Sequence, residues 1–366
     1  MANWSLKERI NRIFANCNGV DVILIANTEK MDPNFQYLTG FAGDFYEGSI
    51  VLVKRTGATI IASELEYGDV HKTKPNGMAV VKIKSREQIM GFLKKELQNK
   101  KVGMNYGFIT QQIYARIKKR YKPAKTIDVS VAFARARQIK DRYEIQQIKK
   151  ASAITKKAMK EIQSKLKVGI TEKELAREFD YLCASHGSDG PAFSTIVSFG
   201  KNTALIHHSP SNTRLQYGDM VMIDAGSKVN NYCSDVTRTF IFGSGKARIR
   251  DYKKKRRIIE IVKEAQSAAL KEIRKGVKAP TPHNTAYNHI AAADAGEYKR
   301  FNFPYALGHP VGLEVHDAGD GFYPKSKLVL AGNMVITDEP GIYVPGFGGA
   351  RIEDDILITK KGPIVL

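Results

Sequence analysis

The sequence is poor in cysteine. There are three in 366 residues, Cys17, Cys183 and Cys233, and no two form a spaced pair. That excludes a disulfide framework and a cysteine-based zinc site, and it suits a reducing compartment. Long apolar runs are missing too, so no segment is predicted to span a bilayer. The N-terminal stretch MANWSLKERI has no apolar leader core. A cytoplasmic protein is the expectation. Acids are scarce beside bases, 37 Asp and Glu against 58 Lys and Arg, for a net charge of +21. Such a balance can signal nucleic-acid binding. Here the excess is spread along predicted helices, at Lys149, Lys150, Lys156, Lys157, Lys160 and Lys165, with the densest run at Lys253 to Arg257. No aromatic-interleaved basic motif, finger or helix-turn-helix signature accompanies it, and no short-period repeat is evident. Nucleic acid is therefore not an expected partner.

What is present is globular: 43% hydrophobic and 26% charged residues, in a chain long enough for one large domain or two ordinary ones. The first part reads as an α/β unit. A helix is predicted over Leu6 to Phe14. Strands are predicted at Val20 to Ala26, Ser49 to Val53, Ala58 to Ala62, Met78 to Ile83 and Lys101 to Met104, with helices at Arg86 to Lys95 and Thr110 to Arg120. No chemical constellation appears there, so it reads as a scaffold or oligomerisation domain. Pro and charge cluster at Tyr121 to Lys125 without apolar periodicity, which places a boundary there: domains 1–125 and 126–366. Beyond it, Glu144 to Leu166 is a long amphipathic helix. Thr171 to Glu174 is a capping box opening a helix that runs to about His186, and Phe193 to Phe199 is strand-like. Further helices are predicted at Ile258 to Ile273 and around His289 to Ala295.

The chemistry lies in the second part. Val221-Met222-Ile223 leads into Asp224, and Val236, Phe240 and Ile241 follow Asp235. A hairpin symmetric about Val229-Asn230 sets Asp224 opposite Asp235. Like charges there destabilise a sheet, by about 4 kcal/mol at ~4 Å and an effective dielectric near 20. A cation between the carboxylates removes that cost; the alternative is a bulge that turns one Asp to solvent. A second hairpin centred on Gly346 brings Glu339 to Glu353, the alternative being surface acids on an edge hairpin. His309 and His316 are seven apart, which on one strand points them to opposite faces, so a bend is expected between them. His207 and His208 occupy a loop just ahead of the first hairpin. Carboxylates with one imidazole suit Mn²⁺ or Co²⁺, whereas Zn²⁺ usually takes more N or S ligands. Four carboxylates overcharge one ion but balance two, and two ions can hold a hydroxide between them.

These motifs resemble the Xaa-Pro peptidases of the pita-bread fold, prolidase and aminopeptidase P. The resemblance spans nearly the whole chain. It runs through Tyr37-Leu38-Thr39-Gly40-Phe41, Arg137, Ile139-Lys140, Glu144-Ile145, Phe193 to Val197, Asn202 and Ala204 to His207. It continues through Ile223 to Gly226, Tyr232 to Asp235, Thr237 to Phe240, Gly308-His309, Gly312 to Asp317, Glu339 to Tyr343 and Arg351 to Asp354. It implies a mixed α/β (α+β) chain, with a creatinase-like N-terminal α/β domain followed by a pita-bread metallopeptidase domain. It further implies that Asp224 binds one metal, that Asp235 and Glu353 bridge both, and that His309 and Glu339 bind the second. His316 and His207 fall on the substrate side as donors to the carbonyl or oxyanion.

The implied reaction is hydrolysis of the Xaa-Pro bond of short proline-containing peptides by a dinuclear metal-bound hydroxide. Xaa-Pro dipeptidase is the first reading and Xaa-Pro aminopeptidase the alternative. The implied oligomer is a homodimer. A non-catalytic pita-bread binding module is a further alternative, although no ligand position is replaced. The family often has Gly after its metal-binding His, where this chain has Pro310; changed substrate contacts are expected from that, not a lost metal. Asp338 adds an acid without an assigned role.

Overall fold

The computed structural model describes residues 4–27, 31–41, 48–243 and 250–366. They form two compact units, Met1–Gln138 and Ile139–Leu366. The division falls later than the expected 125/126, for a local reason. A short strand at Lys125–Asp128 pairs in parallel with Lys101–Met104, and the helix Ser130–Gln138 packs on the first helix, Leu6–Ala15. The Pro-containing segment at 121–125 is thus a turn inside the first unit, with Lys122 in the left-handed region at φ 47°.

The first unit is a mixed six-stranded sheet. Its strands are β1 (Val22–Ala26), β2 (Ile50–Lys54), β3 (Gly57–Ser63), β4 (Met78–Ile83), β5 (Lys101–Met104) and β6 (Lys125–Asp128), in the order β4-β3-β2-β1-β5-β6. The apolar run Val22, Ile23, Leu24 and Ile25 is buried on both faces, as expected of a central strand. Helices cover the sheet at Arg86–Leu97 and Gln111–Tyr121, where Leu93, Leu97, Ile117 and Tyr121 supply the packing face.

The second unit contains two helix-covered antiparallel ladders. In one, β8 (Ile196–Phe199), β9 (Met220–Ala225) and β12 (Val236–Ile241) lie in the order β12-β9-β8. Helices Arg142–Glu161 and Glu172–Ser185 contribute Ala158, Leu175 and Phe179 to a core with Val197, Val221 and Ile223. Both helices start on capping boxes. The expected Thr171/Glu174 box is present, and a second, Asp141/Glu144, starts the long helix two residues earlier than its apolar pattern suggested. A small sheet of β7 (Gly190–Pro191), β10 (Ser227–Val229) and β11 (Tyr232–Cys233) continues the β9/β12 hairpin to its tip.

The other ladder has β13 (Val335–Asp338), β16 (Asp354–Thr359) and β17 (Gly362–Val365), with β14 (Gly341–Val344) paired to β15 (Gly348–Arg351). Helices Tyr252–Glu272 and Pro280–Ala292 pack on it through Ile258, Val262, Ala265 and Ile290. No helix among the described residues is long and apolar enough to cross a membrane.

Candidate metal centre

The register of the first hairpin differs from the sequence expectation. Thr237, not Asp235, sits opposite Asp224. The turn is centred between Asn230 and Asn231, both in the left-handed region at φ 49° and 70°. A two-residue hairpin turn of this kind needs positive φ at both central residues, and Asn tolerates it. The correction moves the partner by two positions, which keeps Asp224 and Asp235 on one face as diagonal neighbours. Close approach of the two strands is built in at Gly226, where a Cβ would lie 1.9 Å from the Ser234 carbonyl oxygen.

The second hairpin has the expected register. Gly341 pairs with Arg351 and Asp338 with Asp354, so one continuous alignment places Glu339 across from Glu353. Backbone and side-chain bonds then dock one hairpin on the other. Glu353 N donates to Thr237 O at 3.1 Å, and Thr239 Oγ1 donates to Arg351 O at 2.9 Å.

The histidine segment bends as expected. The rings of His309 and His316 have centroids 3.9 Å apart. His309 lies beside β13: Thr337 N donates to His309 O at 2.9 Å and Val311 N to Val335 O at 3.0 Å. That ladder skips the nitrogen of Pro310, which explains why proline is tolerated where it cannot donate. Asp317, next to His316, forms a buried ion pair with Lys140 at 3.1 Å, which fixes the far end of the bend.

All seven expected site residues, His207, Asp224, Asp235, His309, His316, Glu339 and Glu353, line one cavity of about 450 Å³. One ligand atom each from Asp235, His309 and Glu353 lie within 4.8 Å of one another. His309 Nε2 is 3.6 Å from Asp235 Oδ2 and 3.4 Å from Glu339 Oε1. Asp224 and Glu339 line the same cavity, and His207 and His316 are the exposed members of the set. Phe193, Ile196, Ile206, Tyr305 and Val315 form the apolar wall.

Burial, then repulsion from Glu353 and Asp224, raises the Asp235 carboxyl well above the usual range. Glu353 is raised likewise by burial and then by Glu339 and Asp224. Burial pushes Glu339 up to about 8, with Arg351 opposing. His309 is lowered to about 4 by burial and by His316, so its ring is neutral at pH 7 and has a lone pair to offer. Asp224 Oδ1, Asp235 Oδ1 and Glu353 Oε1 are buried and accept no hydrogen bond. Buried acceptors of this kind are costly unless something satisfies them. Carboxylate oxygens and one neutral imidazole are donors for a hard to borderline divalent cation, so this set fits metal ions.

Two charged residues went unassigned in the sequence. Arg351 is the single Lys or Arg lining the cavity among the described residues. Its guanidinium ion-pairs with Asp224 through Nη2, donates to Tyr343 Oη at 2.7 Å through Nη1, and donates to Thr237 Oγ1 at 3.2 Å through Nε. It orients Asp224 and offsets part of the acid excess. Its signal was its position two residues before Glu353 on one strand path, among too many acids. Asp338 is fully buried, and neither of its side-chain oxygens accepts a hydrogen bond. Burial, then Asp354 opposite it, raises its carboxyl well above the usual range, which disfavours its charged form.

The acid set gives a pH signature in the metal-free protein. A carboxyl raised to about 8 in the fold, against 4.5 for an ordinary Glu, adds stability below 4.5 that is lost as pH rises through 8. Neutral His309 acts oppositely, but only between about 6.5 and 4. The Tm of chelator-treated protein should therefore fall from pH 6.5 to 8.5 in a thermal-melt series. Added divalent cation should restore most at the upper end; a metal-free Tm that rises across that window contradicts the electrostatics described above.

The docked hairpins gather buried, unsatisfied carboxylates and one imidazole into a donor set of the kind a metal-dependent hydrolase uses. Comparison with known proteins gives the family. Residues 146–360 match Metallopeptidase family M24, and residues 9–139 match the Creatinase/Prolidase N-terminal domain. The chain belongs to metallopeptidase family M24, with the pita-bread fold behind a creatinase-like N-terminal domain. A protein of Pyrococcus horikoshii named Xaa-Pro dipeptidase is 36% identical over 367 residues, covering 98% of this chain and 96% of its own. Among solved structures, the Xaa-Pro dipeptidase from Bacillus anthracis has a TM-score of 0.88 at 29% identity, covering 99% of this chain and 97% of that one. The X-Pro aminopeptidase from Thermotoga maritima has a TM-score of 0.85 at 30% identity, covering 95% of each chain.

Proposed function

We propose that the protein is an Xaa-Pro dipeptidase, hydrolysing the bond between an amino acid and a C-terminal proline. The observation that carries the reading is the convergence of Asp235, Glu353 and His309 with unsatisfied, buried oxygens in one cavity. In this reading Asp224, Asp235, His309, Glu339 and Glu353 hold two divalent ions, Mn²⁺ or Co²⁺ in preference to Zn²⁺. Bound there, the ions supply Lewis-acid polarisation and a water that ionises near neutral pH.

The protein's own groups do the rest. Thr237 Oγ1 donates to Glu353 Oε2 at 2.6 Å and Thr337 Oγ1 donates to Glu339 Oε1 at 3.1 Å, so each carboxylate keeps its orientation. His316 and His207 face the substrate and donate hydrogen bonds to the scissile carbonyl as it gains charge. His316 is neutral at pH 7, lowered by burial and by His207, and gives an N–H without adding a charge. The scissile amide nitrogen belongs to proline and has no N–H, so recognition must come from the ring. Phe193, Ile206, Tyr305 and Val315 provide apolar contact for it.

The likeness to the Thermotoga maritima aminopeptidase favours a second reading, cleavage of longer Xaa-Pro-Yaa peptides. Metal-loaded protein should release proline from Xaa-Pro and turn over Xaa-Pro-Yaa far more slowly. The reverse ranking makes it an aminopeptidase, and failure on both ends the peptidase reading. The homodimer and cytoplasmic location expected from the sequence belong to this proposal; sedimentation tests the first and cell fractionation the second.

A further inference from the structure

The loop that carries His207 joins β8 to β9 and has little regular structure beyond a 3₁₀ turn at Gly200–Ala204. A loop of this kind does not by itself hold a side chain to the tolerance that a transition state demands. One buried carboxylate compensates. Glu172, the first residue of its helix, is fully buried. Its Oε1 accepts from Phe199 N at 2.8 Å and from Asn202 Nδ2 at 2.9 Å, at the start of the loop. Its Oε2 accepts from Ser211 N at 2.9 Å and Ser211 Oγ at 2.6 Å, and lies 2.7 Å from His208 Nε2, near the middle of the loop. One side chain therefore ties the start of the loop to its middle, and among its partners is the residue directly after His207.

The opposite side of the loop is tied to the metal hairpin. Gly349 N donates to Thr203 Oγ1 at 2.8 Å, and Arg351 Nη1 approaches Ile206 O at 3.5 Å. His207 thus sits between Ile206, tied toward the centre, and His208, tied toward Glu172. His207 lies in a turn, and tying the residues on either side of it holds its side chain at the cavity it lines.

We infer that Glu172 and His208 are positioning residues for His207, acting on turnover through it and not on substrate directly. The inference rests on the substrate-side role proposed for His207, and a double-mutant cycle separates the two. The protein is metal-loaded and assayed on an Xaa-Pro dipeptide, with kcat, KM and metal content measured for each variant. His208→Ala should lower kcat by about tenfold with KM and metal content little changed, since slight misplacement of a catalytic group is costly. His208→Gln, which places an amide donor near the same position, should recover much of the loss. In a His207→Ala background, His208→Ala and Glu172→Gln should add no further loss.

If either substitution multiplies the loss in that background, or if His208→Ala leaves kcat unchanged, the inference is overturned and His207 keeps its role. If His207→Ala alone leaves turnover intact, the role of His207 fails and the inference falls with it.

Discussion

Glu353→Gln should reduce turnover by about 10²–10³-fold or more and strip metal from the protein, while making the metal-free fold more stable at pH 8. The two effects have one cause. Glu353 is 1% exposed, hydrogen-bonded at one oxygen by Thr237 and unsatisfied at the other. Burial and the nearby Glu339 and Asp224 disfavour its charged form. An amide keeps the bond from Thr237 but removes the charge, which relieves the empty centre and weakens its hold on cations. Asp235→Asn should behave alike, because Asp235 is raised by burial and then by Glu353, Asp224 and Glu339. Elemental analysis, steady-state kinetics and a melt of chelated protein at pH 8 read the three quantities. A variant that loses activity but keeps its full metal complement would show that these acids do something other than bind ions.

His316→Ala should lose about 10²-fold in kcat and retain its metal. The residue is exposed in the cavity, and its ring packs against His309 without joining the trio of ligand atoms. Its pKa is lowered by burial and by His207, so it donates as a neutral ring at pH 7, and any limb it gives the kcat profile should fall below pH 6.5. Loss of metal in this variant would mean that His309 and His316 exchange roles.

How much of this was legible in the sequence depended on how local each feature is. The second hairpin was read in the right register, because its acids are symmetric about a glycine turn at Gly346, which adopts φ 77°. The first was read one turn position short, because two consecutive left-handed asparagines, Asn230 and Asn231, look no different in sequence from any Asn-rich turn. That slip cost the pairing of Asp224 but not its face. The domain boundary was set too early, since Lys125–Asp128 is a four-residue edge strand whose partner lies two dozen residues away. The four candidate metal-binding acids announced themselves by charge conflict within hairpins. Arg351, the Lys140–Asp317 pair and the Glu172 anchor did not, since each joins segments far apart in the chain, and no periodicity marks such contacts.

The most direct measurement is a count of divalent ions bound per chain, by elemental analysis of Mn²⁺-loaded protein after exhaustive removal of free metal, alongside Xaa-Pro hydrolysis on the same sample. We expect about two ions per chain, with activity disappearing as a chelator removes them and returning as they are restored. Hydrolysis that persists in the metal-stripped protein, or ion binding unaffected by substitution of both Asp235 and Glu353, would contradict the account.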